Sequence, residues 1–259
     1  MKTTIIVDMQ NDFIDGVLGS REAKAIVPGI VEEIRRHPCD AYILTQDTHH
    51  RGGFLRSIES AVLPEHCVSR TEGWNLNTAI AEAIGNTGKN FRIVPKATFS
   101  GNDELIRAVQ ENLDNDGTDS VTIYGLCTDI CVVSIALALR SAFPALPIEV
   151  RSDLCAGTSK ENHEAALKVM RSCLIGVACR GSLKAMREAL AGLGFIGCEN
   201  DIWTRGKQHV RLFENMVAVV NDGASETNGW GYEYTLIRDD GIYTRIAGSE
   251  PKRIVGREE

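Results

Sequence analysis

The sequence predicts a three-layer αβα sandwich on a doubly wound, mainly parallel six-stranded sheet, followed by a small C-terminal β-rich appendage. Two observations carry this reading. Short β-branched runs at 3–7, 41–45, 91–94, 120–124, 148–150 and 174–178 alternate with segments of helical spacing near 22–37, 75–85, 102–114, 129–142, 160–171 and 182–191. The runs are also nearly continuous in apolar residues, as in Ile5-Ile6-Val7, instead of alternating apolar with polar. That pattern marks strands buried on both faces, and so a parallel sheet covered by helices. A third observation sets the appendage apart. Residues 215–221 and 232–247 read as strands, the second broken by the hairpin signal Asp239-Asp240-Gly241, and no further helix follows. The expected division is a main domain over 1–199 and an extension over 200–259.

Composition narrows the function classes. A chain of 259 residues, 43% hydrophobic and 24% charged, buries a core without needing a metal or disulfide to fold. Its longest nearly apolar stretch, 130–139, is interrupted by Ser134 and falls short of the roughly 18 residues of a membrane span. A membrane partner is therefore not expected. The net charge is −7 and no Lys/Arg run exceeds a pair, so the electrostatic footprint of a nucleic-acid binder is missing. Only Ile5, Ile6 and Val7 precede Asp8, too short for a secretory apolar region, and the expected location is cytoplasmic. Without such a signal, the eight cysteines read as buried thiols with one reactive member; no Cys-x-x-Cys pair points to a redox or structural zinc motif.

In an open parallel sheet, ligands bind beyond the carboxyl ends of the strands, so the residues that end each run are the ones to inspect. The first strand ends at Asp8, the second at Asp47-Thr48-His49-His50, the third at Lys96, the fourth at Gly125 to Cys131 and the fifth at Asp153. An acid, a base cluster, an ammonium and a thiol thus converge on one edge. Cys131 precedes a small and apolar helical segment, and the positive end of that helix together with Lys96 favours its thiolate. Asp8 is placed to take the thiol proton and return it to a leaving amine, while turn amides bind a developing oxyanion. On the same evidence Cys131 also fits a small core residue, Asp8 a cap and Lys96 a surface charge.

The segments Asp8-Met9-Gln10-Asn11-Asp12-Phe13, Thr45-Gln46-Asp47-Thr48-His49, His66-Cys67-Val68, Pro95-Lys96 and Gly125-Leu126-Cys127-Thr128-Asp129-Ile130-Cys131-Val132 together resemble, in order and spacing, the isochorismatase-like cysteine hydrolases. The resemblance spans about the first 195 residues. It implies a triad of Asp8, Lys96 and Cys131 that hydrolyses a small amide through a thioester. It also implies a cis peptide at Leu126–Cys127, with the amides of Cys127 and Cys131 as oxyanion hole.

Asp47, His49 and His66 offer the carboxylate and imidazole groups a divalent transition metal prefers, and zinc, iron and manganese fit alike. That cluster points within the family to the nicotinamidase branch, in which a metal holds the ring nitrogen of nicotinamide. The resemblance calls for a fourth ligand, assigned to Glu59; His50 is the rival by chemistry, although neighbours on an extended stretch point opposite ways. Phe13 and Trp74 are the candidates to sandwich a flat ring. Asp129 reads as a turn or cap residue and His163 as a structural histidine. Cys155, Cys173, Cys179 and Cys198 read as inert, and Cys67 has no assigned role. Alternatives are a related amidohydrolase acting on a ureido or carbamoyl amide, or a non-catalytic metal-binding protein. The appendage has no counterpart in the family core, and its alternating apolar residues fit a homo-oligomer interface.

Overall fold

A computed structural model describes residues 1–178 and, beyond them, 187, 190–192, 194–197, 202–206, 208–213, 216–221, 234–238, 241–245 and 252–256. The helix expected over 182–191 falls mostly outside these residues, as do Cys179, Cys198, Asp239 and Asp240. The chain divides into two compact units, Met1–Val177 and Ala178–Glu259.

The first unit holds a six-stranded sheet in the order β3-β2-β1-β4-β5-β6. Its strands are β1 (Lys2–Val7), β2 (Ala41–Asp47), β3 (Asn90–Lys96), β4 (Ser120–Leu126), β5 (Ile148–Ala156) and β6 (Gly176–Ala178). The β1–β2, β1–β4, β2–β3 and β4–β5 ladders are all parallel. All seven residues of β2 are buried, as the unbroken apolar runs require of strands covered on both faces. Pro95 sits in β3, which is an edge strand, where a missing N–H costs the sheet nothing.

Helices α2 (Arg21–Arg36), α4 (Thr78–Gly85), α5 (Asn102–Asp116), α6 (Val133–Ala142) and α7 (Lys160–Ser172) follow the expected segments. Side chains stop three of them at the N-terminus: Ser20 Oγ accepts from Ala23 N, Asn77 Oδ1 from Ile80 N and Ser159 Oγ from Asn162 N. Two four-residue helices, α1 (Asn11–Ile14) and α3 (Arg51–Phe54), were too short for periodicity to reveal. The segment expected to be helical from 129 begins instead with a π turn over Thr128–Val132, in which Val132 N donates to the Cys127 carbonyl at 3.1 Å.

The second unit carries a four-stranded antiparallel sheet of β7 (Ile196–Gly197), β8 (Ile202–Arg205), β9 (Gln208–Phe213) and β10 (Met216–Asn221). It also carries a three-stranded one of β11 (Tyr234–Arg238), β12 (Gly241–Arg245) and β13 (Lys252–Gly256). The division expected between 199 and 200 falls within this unit. The reason is local: Ile196 and Gly197 already pair with Thr204 and Trp203, and Arg205 stacks over the Phe195 ring at 5.2 Å.

Candidate active site

With strand order 3-2-1-4-5-6, the sheet reverses its winding between β1 and β4, and the crevice opens where their carboxyl ends part. Asp8 follows β1, and the Cys127–Cys131 turn follows β4. Gly125 is what lets the two strands lie so close there: a Cβ on it would stand 2.2 Å from the Val7 carbonyl oxygen, and its φ is +129°. The Leu126–Cys127 peptide is cis, as expected.

Lys96 closes this crevice from the end of β3. Its Nζ lies 2.7 Å from Asp8 Oδ2, 3.3 Å from Cys131 Sγ and 3.7 Å from Asp47 Oδ1. Thr45 fixes the other Asp8 oxygen, its hydroxyl donating to Oδ1 at 2.7 Å. The three expected residues therefore meet, all buried. Burial first, and then the Asp8 carboxylate, push the Cys131 thiol well above its ordinary value, and Lys96 only partly opposes them. Burial and the Asp8 charge thus oppose the thiolate that Lys96 favours. Burial also raises Asp8 despite Lys96, which brings its affinity for a proton closer to that of a working base. Burial opposes the Lys96 ammonium, but the Asp8 and Asp47 carboxylates outweigh it and keep Lys96 charged.

Beside the triad, one ligand atom each from buried Asp47, His49 and His66 lies within 4.8 Å of the others. His49 Nε2 is 2.9 Å and His66 Nε2 3.5 Å from the same oxygen, Asp47 Oδ2. His66 Nδ1 lies 2.8 Å from the Pro64 carbonyl, which can only accept; that nitrogen carries the hydrogen and Nε2 turns its lone pair to the cluster. His49 Nε2 is buried without a hydrogen-bond partner despite the short distance to Asp47, because the alignment is wrong. Although burial opposes its charge, the two histidines and Lys96 hold the Asp47 carboxyl well below its usual range. Burial likewise opposes charge on His66, yet Asp47 and the Pro64 carbonyl raise it. An orphaned imidazole nitrogen and two shifts that both favour positive charge between these groups fit a bound divalent cation.

Glu59, in a 3₁₀ turn over Glu59–Ala61, brings its two oxygens to 3.7 Å from His49 Nε2 and His66 Nε2. His50 is exposed and begins α3. Glu59 thus lies within 4 Å of both imidazoles, while His50 is exposed.

The Phe13 ring lies 5.6 Å from that of His66. Trp74 Nε1 donates to Thr48 Oγ1 at 2.9 Å. Phe54 was not foreseen. It packs edge-on against both His49 and His66, at 5.1 and 5.3 Å, and holds the two imidazoles at a fixed tilt. Asp129 and His163 have structural partners: Asp129 accepts from Thr158 N and Oγ1, and His163 Nδ1 meets Thr128 Oγ1 at 2.8 Å.

The isochorismatase domain family matches residues 2–180. The chain belongs to that family. A nicotinamidase/pyrazinamidase of Mycobacterium tuberculosis is 33% identical over 192 residues, 69% of this chain and 99% of that one. The pyrazinamidase/nicotinamidase of Streptococcus mutans UA159 has a crystal structure similar at TM-score 0.58 and 26% identity, covering 69% of this chain and 100% of that one. The pyrazinamidase of Pyrococcus horikoshii, crystallised in complex with zinc, is similar at TM-score 0.56 and 26% identity, over 69% of this isochorismatase-family chain and 98% of its own.

Proposed function

We propose that this protein hydrolyses nicotinamide to nicotinate and ammonia through a thioester on Cys131. That it is a hydrolase of amide C–N bonds follows from its family and its nicotinamidase relatives. The observation that carries the finer reading is one carboxylate: Asp47 reaches Lys96 through Oδ1 and both histidines through Oδ2, so a thiol triad and a cation site share one crevice. Cysteine hydrolysis of an amide that also has a metal-binding ring nitrogen needs both.

Cys131 gives its proton to Asp8 as Sγ attacks the carboxamide carbon. The amides of Cys127 and Cys131 take the oxyanion; those of Ile130 and Val132 are already spent on the Cys127 carbonyl. Asp8 then passes the proton to the amide nitrogen, the C–N bond breaks and ammonia leaves. Water next attacks the thioester carbon, Asp8 accepts its proton, and the proton returns to sulfur as nicotinate departs. Lys96 stays charged throughout and holds Asp8 and Cys131 in register. Asp47, His49 and His66, with Glu59, would hold one divalent ion, which supplies a Lewis-acid anchor for the ring nitrogen. Phe13, from one side, and Trp74 form the walls for the ring. Outside the site, the reading is of a cytoplasmic homo-oligomer.

Ammonia release from nicotinamide by the purified zinc-loaded protein tests this proposal. Turnover that disappears in Cys131→Ala, with zinc content unchanged, is the expected result. Turnover of carbamoyl or ureido amides but not of nicotinamide contradicts the substrate, and full activity in Cys131→Ala contradicts the thioester.

A further inference from the structure

Gln10 stands in the first of the sequence motifs and belongs neither to the triad nor to the cation cluster. Its side chain is completely buried. The β1–β2 ladder ends at the Ile6–Leu44 pair, and the last backbone bond between these segments runs from Asp8 N to the Thr45 carbonyl. Beyond it β2 continues to Asp47, and among the described residues no backbone hydrogen bond from the β1 side reaches it. The Gln10 carboxamide fills that gap. Its Oε1 accepts from Asp47 N at 2.7 Å and its Nε2 donates to the Asp47 carbonyl at 2.8 Å. The orientation is fixed by chemistry, since an N–H only donates and a carbonyl only accepts.

The same Nε2 donates to the Trp74 carbonyl at 2.9 Å, where Gln46 Nε2 also arrives at 2.9 Å. Thr48 Oγ1 accepts from the Trp74 indole. Three consecutive residues centred on Asp47 are thereby tied to the Trp74 segment, and Gln10 is the one side chain that holds Asp47 and Trp74 at once among these contacts.

We infer that Gln10 is a positioning residue, a side-chain substitute for a missing strand that sets Asp47 for the cation and couples it to the Trp74 wall of the ring pocket. The inference rests on reading Asp47, His49 and His66 as the cation site. Groups that orient a metal ligand are worth about 10–100-fold in metal affinity when removed. Because the Gln10 side chain makes its hydrogen bonds to Asp47 and Trp74 and none to Cys131 or Asp8 among the described residues, the nucleophile keeps its hydrogen-bond partners.

The test compares the full-length wild type with Gln10→Glu, which keeps the acceptor for Asp47 N but sets oxygen against two carbonyls, and with Gln10→Met, which removes every bond. Three readouts are taken: the Kd for zinc by competition with a chelator, KM and kcat for nicotinamide, and the rate of Cys131 alkylation by iodoacetamide. The expected outcome is a zinc Kd and a KM both raised about tenfold or more, with kcat and alkylation changed by less than about threefold. Unchanged zinc Kd and KM in a folded variant overturn the inference. So does a loss spread equally over zinc binding, kcat and alkylation, which indicates general loosening.

If neither variant folds, hydrogen exchange of the unaltered protein decides. Zinc should slow exchange of the Asp47 amide, whose acceptor is Gln10; equal rates with and without zinc overturn the coupling. A wild type that binds no zinc contradicts the metal reading itself, and KM in the two variants then decides the brace alone. A wild type that binds zinc but leaves nicotinamide intact contradicts only the substrate, and the zinc Kd decides.

Discussion

The three groups of the triad share a single transferable proton, and the charges around them say where it rests. Burial and the Asp8 carboxylate keep it on Cys131. Removing that carboxylate charge therefore lowers the thiol pKa while it removes the base. For Asp8→Asn the expected result is nicotinamide turnover lost by at least about a hundredfold. Alkylation of Cys131 at pH 7 should become faster, by about tenfold for each pKa unit regained. Iodoacetamide kinetics beside an ammonia assay check both; slower alkylation in this variant contradicts the assigned charges. Asp8, Asp47, His49, Lys96 and Cys131 were legible in the sequence because a parallel sheet brings its strand ends to one edge and these residues end or closely follow their strands; His66, in a loop, was legible only through its own motif and its imidazole. Phe54 was not. It stands after Arg51-Gly52-Gly53, where no periodicity announces a buried ring. The Gln10 contacts were equally hidden, since they reach main-chain atoms, which no residue type betrays.

Among the elements, β4 carries the tightest constraint. Its Gly125 combines a positive φ with a close approach to the β1 backbone, and neither a rotamer change nor a small side-chain shift relieves a Cβ set against a carbonyl oxygen. Gly125→Ala is expected to cost about 3 kcal/mol, read as a lower urea midpoint with an unchanged slope, and to separate Cys131 from Asp8. A variant with wild-type midpoint and activity contradicts the crossing of β1 and β4 as described. Element order was legible from the apolar runs, whose β-branched residues and two-sided burial are strong signals. Their ends were less so: β2 and β3 run on to Asp47 and Lys96, because the polar residues that mark a strand's end in sequence are here buried site residues that continue the ladder. Strands β8 and β9 escaped notice. Trp203, Arg205, His209 and Arg211 mix charge with aromatic rings and show no unbroken apolar run.

At the level of the whole molecule, the family match ends at residue 180, close to the division between the two units, and all site residues precede it. The second unit is thus expected to contribute no catalytic group and to serve assembly. A chain ending at Glu199, which loses every strand of the second unit except β7, should keep nicotinamide turnover within about threefold and show a smaller assembly by light scattering than the full chain. An unchanged assembly contradicts the assembly role, and lost turnover in a folded truncated chain contradicts the catalytic independence. The central claim, that Cys131 forms a covalent acyl intermediate, is tested most directly by quenching the zinc-loaded enzyme with acid during nicotinamide turnover and mapping the adduct by peptide mass spectrometry. A nicotinoyl group on the peptide carrying Cys131, absent without substrate, is the expected result. Continued turnover with Cys131 unmodified, or with the acyl group on another residue, contradicts it.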